Sequence, residues 1–427
     1  MAMALNYKDS QPSDFELPSK APDAVSRKVF SLRRLYEVTQ ECGSSWTTAH
    51  CDQGHEFAKQ ILCGREFCAT CGERGSDSHQ RKAGQVIDKV QQLGERGMGY
   101  IVLEPMVEDR EKFHSAAELA QAARQVEAVL RDYGKPTCPV CGRPGKQEKQ
   151  TSDWFCPTSP KRHGRIGPAS LGAPMFPRGV LRWHFFGEPP CPKHFCKQKG
   201  RWDRTQKTWT CPRHGHFKLH DVPLTKVTYN PHLNLLLDGE FLDKPTLTAL
   251  QEALSNALLG EFVATRNEDG SVKELKRGMI LHYNYVPALD SQPQGAREKR
   301  TLTVEGPEGL RRSRIARYLH RAKYVTHPSF LSLAWDPDLA VDLINFRNTR
   351  TWGDWHQEPQ WTREENPAGD DMAATVAIGK GVCPMDGSPL TWDKKILHGT
   401  DLFHEWQDVG GGYRMKSLKI QDTIDMS

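Results

Sequence analysis

The 427-residue chain has no run of about 18 apolar residues, so it offers no candidate transmembrane helix. Its first stretch, MAMALNYKDSQPSDFELPSK, lacks the basic-then-apolar pattern of a secretory signal. A strong charge of one sign is missing too. The 58 Lys and Arg against 53 Asp and Glu leave a net charge of +5, so any nucleic-acid surface has to come from local clusters. These absences predict a cytoplasmic protein with reduced thiols and no membrane partner. A chain of this length can bury a large core and hold two or three domains.

Cysteine, by contrast, is plentiful, with twelve residues falling in groups between Cys42 and Cys383. In a reduced compartment clustered cysteines read as metal ligands more readily than as disulfides. The first group holds Cys42, Cys51, His55, Cys63, Cys68 and Cys71. Cys63, Cys68 and Cys71 form the base of a tetrahedral zinc site; Cys51 or His55 supplies the fourth ligand, and Cys42 can serve. A second candidate is Cys138-x-x-Cys141 followed by Cys156 and His163. The third is Cys191-x-x-His194 followed by Cys211-x-x-His214, with Cys196 an alternative ligand. About three structural zinc ions are therefore expected, the last two in zinc-ribbon insertions. Some of these thiols can instead pack as small apolar groups. Cys383 stands alone in its region and reads as structural. The third group also carries Lys193, Lys197, Lys199, Arg201, Trp202, Arg204, Lys207 and Trp209. Cations interleaved with aromatics suit phosphate and base contacts, or simply coat a structural metal with a solvated surface.

The chain is organised around Val227–Phe241, VTYNPHLNLLLDGEF. In a strand every second side chain shares a face, so His232 and Asn234 point one way and Leu233, Leu235 and Leu237 the other. Pro231 suits the start of a strand and Asp238-Gly239 a turn. His232 and Asn234 can share a metal ion; the plainer reading is a half-buried strand with a polar outer face. Elsewhere the spacing predicts helices over Ser76–Leu93, Glu111–Tyr133 and Pro245–Leu259, and strands at Gly99–Leu103, Val180–Glu188 and Met279–Val286.

Arg311–Tyr324, RRSRIARYLHRAKY, has six Arg or Lys and no acid. As a helix it puts Ile315, Tyr318, Leu319 and Ala322 on an apolar stripe, and Arg317, His320, Arg321 and Tyr324 on a basic face. A tyrosine among cations is what strand cleavage through a covalent phosphotyrosine requires, because nearby positive charge stabilises its phenolate. The plainer reading is a tyrosine at the end of a phosphate-binding helix.

The order of zinc knuckle, strand, helix, P-H-x-polar-x-L-L strand and A-K-Y helix resembles the HUH endonucleases, and within them the rolling-circle plasmid replication initiators. The matching stretches are Cys63-Gly-Arg65-Glu-Phe-Cys68-Ala-Thr-Cys71, Tyr100–Leu103, Asn230-Pro231-His232-Leu233-Asn234-Leu235-Leu236 and Ala322-Lys323-Tyr324. The match spans about residues 50 to 335. Two positions depart from the family pattern: Asn234 stands for its second metal-binding histidine, and His320 for an acid four residues before the tyrosine.

The resemblance implies an α+β fold, a central antiparallel sheet with helices on one face plus zinc-knuckle and zinc-ribbon insertions. It divides the chain into a disordered tail at 1–37, an N-terminal zinc segment at 38–90 and a nuclease domain at 91–335. The insertions fall at about 136–165 and 189–217, and a C-terminal region at 336–427 has no assigned role. The implied activity is metal-dependent nicking and joining of single-stranded DNA at a replication origin of a plasmid or other mobile element. Mg or Mn would sit on His232, Asn234 and Glu188. Tyr324 would be the nucleophile, with Lys323 and His320 beside it and Arg314, Arg317 and Arg321 on the DNA. Host helicase and polymerase would be partners. A rolling-circle transposase, or a catalytically inactive zinc protein that binds DNA, are the alternatives.

Overall fold

The computed structural model describes residues 35–416 except 36, 69, 73–75, 149–150, 152, 168–174, 204–205, 207, 219–220, 225–226, 331–334, 362–371 and 401. The tail expected at 1–37, with its basic stretch Arg27–Arg34, lies outside the described residues save Leu35 and Glu37. Among the described residues no helix is long and apolar enough to cross a membrane.

In chain order the principal elements are β1 (Ser45–His50), β2 (Glu56–Ile61), α1 (Asp77–Val90), β3 (Met98–Pro105), α2 (Ala116–Asp132) and β4 (Gly179–His184). There follow β5 (His232–Asp238), α3 (Lys244–Leu259), β6 (Met279–Val286), α4 (Gly295–Val325), β7 (Thr349–Trp352) and α5 (Ala373–Gly379). Strands β8 (Gln407–Gly410) and β9 (Tyr413–Met415) close the series. The fold is mixed α+β, and among the described residues every strand pairing is antiparallel.

The central sheet has five strands in the order β6-β3-β5-β4-β7. Its middle strand is the Leu-rich β5, and all seven of its residues are buried. Leu233, Leu235 and Leu237 face a core shared with Leu119, Val126 and Leu130 of α2 and Leu250 and Leu254 of α3. On the opposite face Leu236 joins Val86, Ile87 and Val90 of α1 and Ile315, Tyr318 and Leu319 of α4. Helices therefore cover both faces, where one was expected. The physical reason is visible in Leu235-Leu236-Leu237: an uninterrupted apolar run belongs to a strand that is buried on both sides. The polar face of β5 is thus an interior surface, and His232 and Asn234 lie within it.

Local signals set the helix limits. Ser76, Ser115 and Asp243 each accept a backbone N–H in the first turn of α1, α2 and α3. Gly260 closes α3 in the left-handed conformation. The helix α4 starts well before the basic stretch and breaks at Gly306 (φ 72°), ahead of Pro307. Strand β4 ends at His184, so Glu188, expected on its metal-facing side, lies beyond the strand and is exposed.

A second sheet joins residues that are far apart in sequence. The β1–β2 hairpin is flanked on one side by Thr391–Trp392 and Leu397–His398, and on the other by β9 and β8. Part of the C-terminal region is therefore the structural complement of the N-terminal segment. Trp46 packs edge-on against Phe403 at 5.4 Å. The Arg81 guanidinium of α1 donates to the carbonyls of Gln60, Gly411 and Gly412, which ties this sheet to the central domain.

Candidate functional site

Two histidines meet on the α4-facing side of the central sheet. His232 pairs directly with His184 across β5 and β4, so both side chains share that face, with ring centroids 5.3 Å apart. His232 Nδ1 lies 2.9 Å from the Asn230 carbonyl and His184 Nε2 lies 3.0 Å from the Val325 carbonyl. A carbonyl only accepts, so each of these nitrogens carries the proton, and His232 Nε2 and His184 Nδ1 keep their lone pairs. Burial holds both imidazoles below the ordinary histidine pKa, further for His184, where the neighbouring His232 and Arg182 add to the effect. Two neutral imidazoles, each oriented by a backbone carbonyl, form a donor set suited to a divalent cation. His184 was not singled out from sequence. Its signal was the face it shares with Arg182, Phe186 and Glu188 on the strand-like run Val180–Glu188, and the cross-strand register that gives it meaning is tertiary.

Asn234 is fully buried next to this pair. Its Oδ1 accepts from the Tyr100 hydroxyl at 2.5 Å, and its Nδ2 has no hydrogen-bond partner. The Arg321 guanidinium covers the Tyr100 ring at 4.8 Å. An amide oxygen has two lone pairs, so Asn234 can hold the Tyr100 bond and still present one to an ion. A carboxylate is also near: Glu104, at the end of β3, works electrostatically against the burial that lowers the His232 pKa, and is itself paired to Arg110 at 3.1 Å. Glu104, not Glu188, is the acid beside His232.

Tyr324 stands at the end of α4 with 36% of its surface exposed, whereas Tyr318, on the apolar stripe, is fully buried. The Tyr324 ring is 6.3 Å from His184, 5.9 Å from Tyr100 and 4.9 Å from His327. His327 in turn lies 5.6 Å from His79 of α1. The bond from His184 to the carbonyl of Val325 pins this helix end to the sheet. His320 is exposed one turn earlier, and Lys323 is half-buried.

The basic helix spends much of its charge inside the molecule. Arg314, expected on DNA, is fully buried: it pairs with Glu298 at 2.7 Å and donates to the carbonyls of Ala288, Leu289, Ser291 and Gln292. Arg317 also pairs with Glu298, and Arg311 pairs with Asp290. The stretch Arg311–Tyr324 lacks acids of its own; its counter-charges come from Asp290 in the preceding loop and from Glu298 in the first turn of the same long helix.

Among the described residues, four clusters of thiol, imidazole and carboxylate groups can hold zinc-like ions. Cys42, not Cys51 or His55, completes the set with Cys63, Cys68 and Cys71. Cys138, Cys141, Cys156 and His163 assemble as their spacing implied. In the next cluster Cys196 joins Cys191, Cys211 and His214. His194 is exposed and packs on Phe195 instead. The fourth cluster unites Cys51 and His55 with Cys383 and Asp386. Inside the first cluster's loop, the Glu66 carboxylate accepts from Lys82, from Ser329 and from the buried Arg182 of β4. That loop thereby neutralises the cation next to His184.

Comparison with protein-family models, curated proteins and solved structures gives no match to this chain.

Proposed function

We propose that the protein is a metal-dependent endonuclease and strand transferase acting on single-stranded DNA, of the kind that initiates rolling-circle replication of a mobile element. The observation that carries the reading is the meeting of an accessible tyrosine with two neutral, carbonyl-oriented histidines on adjacent strands. His232 and His184 would hold Mg or Mn, with Asn234 presenting its amide oxygen. The ion would supply Lewis-acid polarisation of the scissile phosphate. Tyr324 would attack the phosphorus, forming a 5′-phosphotyrosyl ester and releasing a 3′-hydroxyl. His327, whose ring lies 4.9 Å from that of Tyr324, would take the phenolic proton. Arg321, fixed over Tyr100, and Arg317 would lie along the DNA backbone; Arg314 is withdrawn from that role by its burial. In the segment of the Cys191–His214 cluster, Lys193, Lys197, Lys199 and Arg201 are exposed, and Phe195, between them in sequence, is 91% exposed. Such a side chain has no core to fill and can stack on an unpaired base.

The test is a denaturing gel of labelled single-stranded DNA incubated with Mg or Mn. The expected result is a covalent protein adduct that disappears with chelator and with Tyr324→Phe, while DNA binding stays within about twofold. An adduct that survives Tyr324→Phe removes this nucleophile. One observation favours the second reading, an inactive DNA-binding zinc protein: the Asn234 oxygen is already engaged by Tyr100. Tight binding with no adduct under any metal would select it. A rolling-circle transposase would share this chemistry and differ only in the DNA ends it cuts.

A further inference from the structure

We infer that the two far ends of the chain close on one zinc ion, held by Cys51, His55, Cys383 and Asp386, to form a third zinc ribbon that the rest of the molecule interrupts. The argument begins with the two ribbons that are contiguous in sequence. Each has a tight turn bearing two ligands, its flanks joined by an isolated antiparallel bridge: Thr137 with Pro144, and Pro190 with Lys199. Each then has a Cys and a His on the facing half, Cys156 with His163 and Cys211 with His214.

Residues 382–389 repeat the first of these turns. Val382 bridges Pro389. Cys383-Pro384-Met385-Asp386-Gly387 follows the pattern of Cys138-Pro139-Val140-Cys141-Gly142, with Asp386 at the place of the second thiol. The backbone bonds agree. Cys138 N–H donates to Arg143 O and Cys383 N–H to Ser388 O, both at 2.8 Å. Gly142 N–H returns to Cys138 O at 2.8 Å and Gly387 N–H to Cys383 O at 2.9 Å. Both glycines are left-handed, with φ of 67° and 77°. The Cys-and-His half is the turn between β1 and β2, where Cys51 N–H donates to His55 O at 3.1 Å. Besides the carboxylate and the Cys-to-His spacing, the order differs. In the contiguous ribbons the ligand turn comes first; here it follows its partner, with Cys383 328 residues after His55.

The ligand atoms sit where a tetrahedral ion needs them. Zn–S bonds of about 2.3 Å and Zn–N or Zn–O bonds of about 2.0–2.1 Å give S···N and S···O edges of roughly 3.5 Å. Observed are 3.2 Å for Cys51 Sγ to His55 Nδ1, 3.5 Å for Cys383 Sγ to His55 Nδ1 and 3.5 Å for Cys51 Sγ to Asp386 Oδ2. His55 Nδ1 and Asp386 Oδ2 are closer, at 2.9 Å. The carboxylate is also aimed: Asp386 Oδ1 accepts from the Ser388 N–H at 2.8 Å and hydroxyl at 2.5 Å, which leaves Oδ2 to face the other three. Outer contacts of this kind orient a metal ligand.

Asp386 gives the site its own character. A carboxylate oxygen is a harder donor than thiolate and a poorer partner for zinc. The ion here should therefore leave before those of the clusters with three or four thiolates. Its departure would loosen the joint between the β1–β2 hairpin and the 383–415 segment.

Elemental analysis of the intact purified protein should find about four zinc ions per chain, and about three in Cys383→Ser or Asp386→Ala. In a chelator competition with a colorimetric zinc indicator, wild type should release one ion at least tenfold faster than the rest. Asp386→Cys should keep four and abolish that fast phase. Since it restores the full thiolate turn of residues 138–142, it also guards against a variant that merely misfolds. Three ions in wild type, unchanged in Cys383→Ser, would overturn the proposal and leave a His55–Asp386 ion pair between two thiols. Four ions in both wild type and Cys383→Ser would overturn it as well.

Discussion

Arg314 and the His184–His232 pair show how burial decides what a polar residue does. The Arg314 guanidinium is fully enclosed with the Glu298 carboxylate and four carbonyls. Arg314→Met would leave the Glu298 carboxylate to Arg317 alone and take the donor from four carbonyls, at a cost of about 3–5 kcal/mol. Urea unfolding should show that loss even without DNA; a variant of unchanged stability that only binds DNA more weakly would restore Arg314 to the DNA surface. The histidines make a pH prediction. Burial keeps both neutral in the folded chain, while the unfolded chain takes up protons below about pH 6.5. More protons are then bound by the unfolded state, so stability falls as pH drops from about 7 toward 5. His232→Gln removes one such group, and its urea midpoint should fall less steeply over that range than wild type. Equal slopes would mean that His232 is not held neutral by the fold.

At the scale of elements, α4 and the inserted ribbons separate packing from exposure. The apolar stripe of α4 fills the core with Ile315, Tyr318 and Leu319, and the same 3.6-residue repeat brings Tyr324 to the surface. Tyr318→Phe should leave any DNA adduct intact. Its hydroxyl makes one long bond, 3.5 Å to the Pro287 carbonyl, so the expected stability loss is about 1 kcal/mol or less. In the 191–214 ribbon, His194 is free of the metal cluster and Phe195 is turned to solvent. His194→Ala should therefore retain every zinc ion. Phe195→Ala should weaken single-strand binding by about 1–3 kcal/mol in fluorescence anisotropy, the worth of one stacked base. Unchanged binding in Phe195→Ala would mean that this ribbon does not touch DNA.

For the whole molecule, the decisive feature is that the terminal ribbon and the central sheet are joined through α1. One side of this helix lies under the central sheet, through Val86, Ile87 and Val90. Its Arg81 reaches across to Gln60 and to the 411–412 turn. His79, on the same helix, packs near His327 at the candidate active site. Arg81→Ala should cost about 1.5–3 kcal/mol, the worth of hydrogen bonds from a charged donor. Hydrogen exchange should show where that loss falls: amides of 45–61 and 407–415 should exchange faster, and those of β5 should not. Uniform acceleration through β5 would mean that ribbon and sheet unfold as one unit.

The sequence by itself determined what short-range periodicity and spacing can encode. Alternation in β5 put His232 and Asn234 on one face, and helical repeat separated Tyr318 from Tyr324. Paired knuckles located the Cys138–His163 cluster, because all four ligands lie within one ribbon. Only the tertiary structure decided which residues meet across long separations. His184 became a partner of His232 through antiparallel register, since nothing local fixes which strand lies beside β5. Cys51 and His55 left the first cluster for Cys383 and Asp386, because a ligand set is chosen by position in space and Asp386 has no cysteine spacing to announce it. Arg314 moved from the surface to the interior, because its counter-charge, Glu298, lies 16 residues away and the fold alone brings them together.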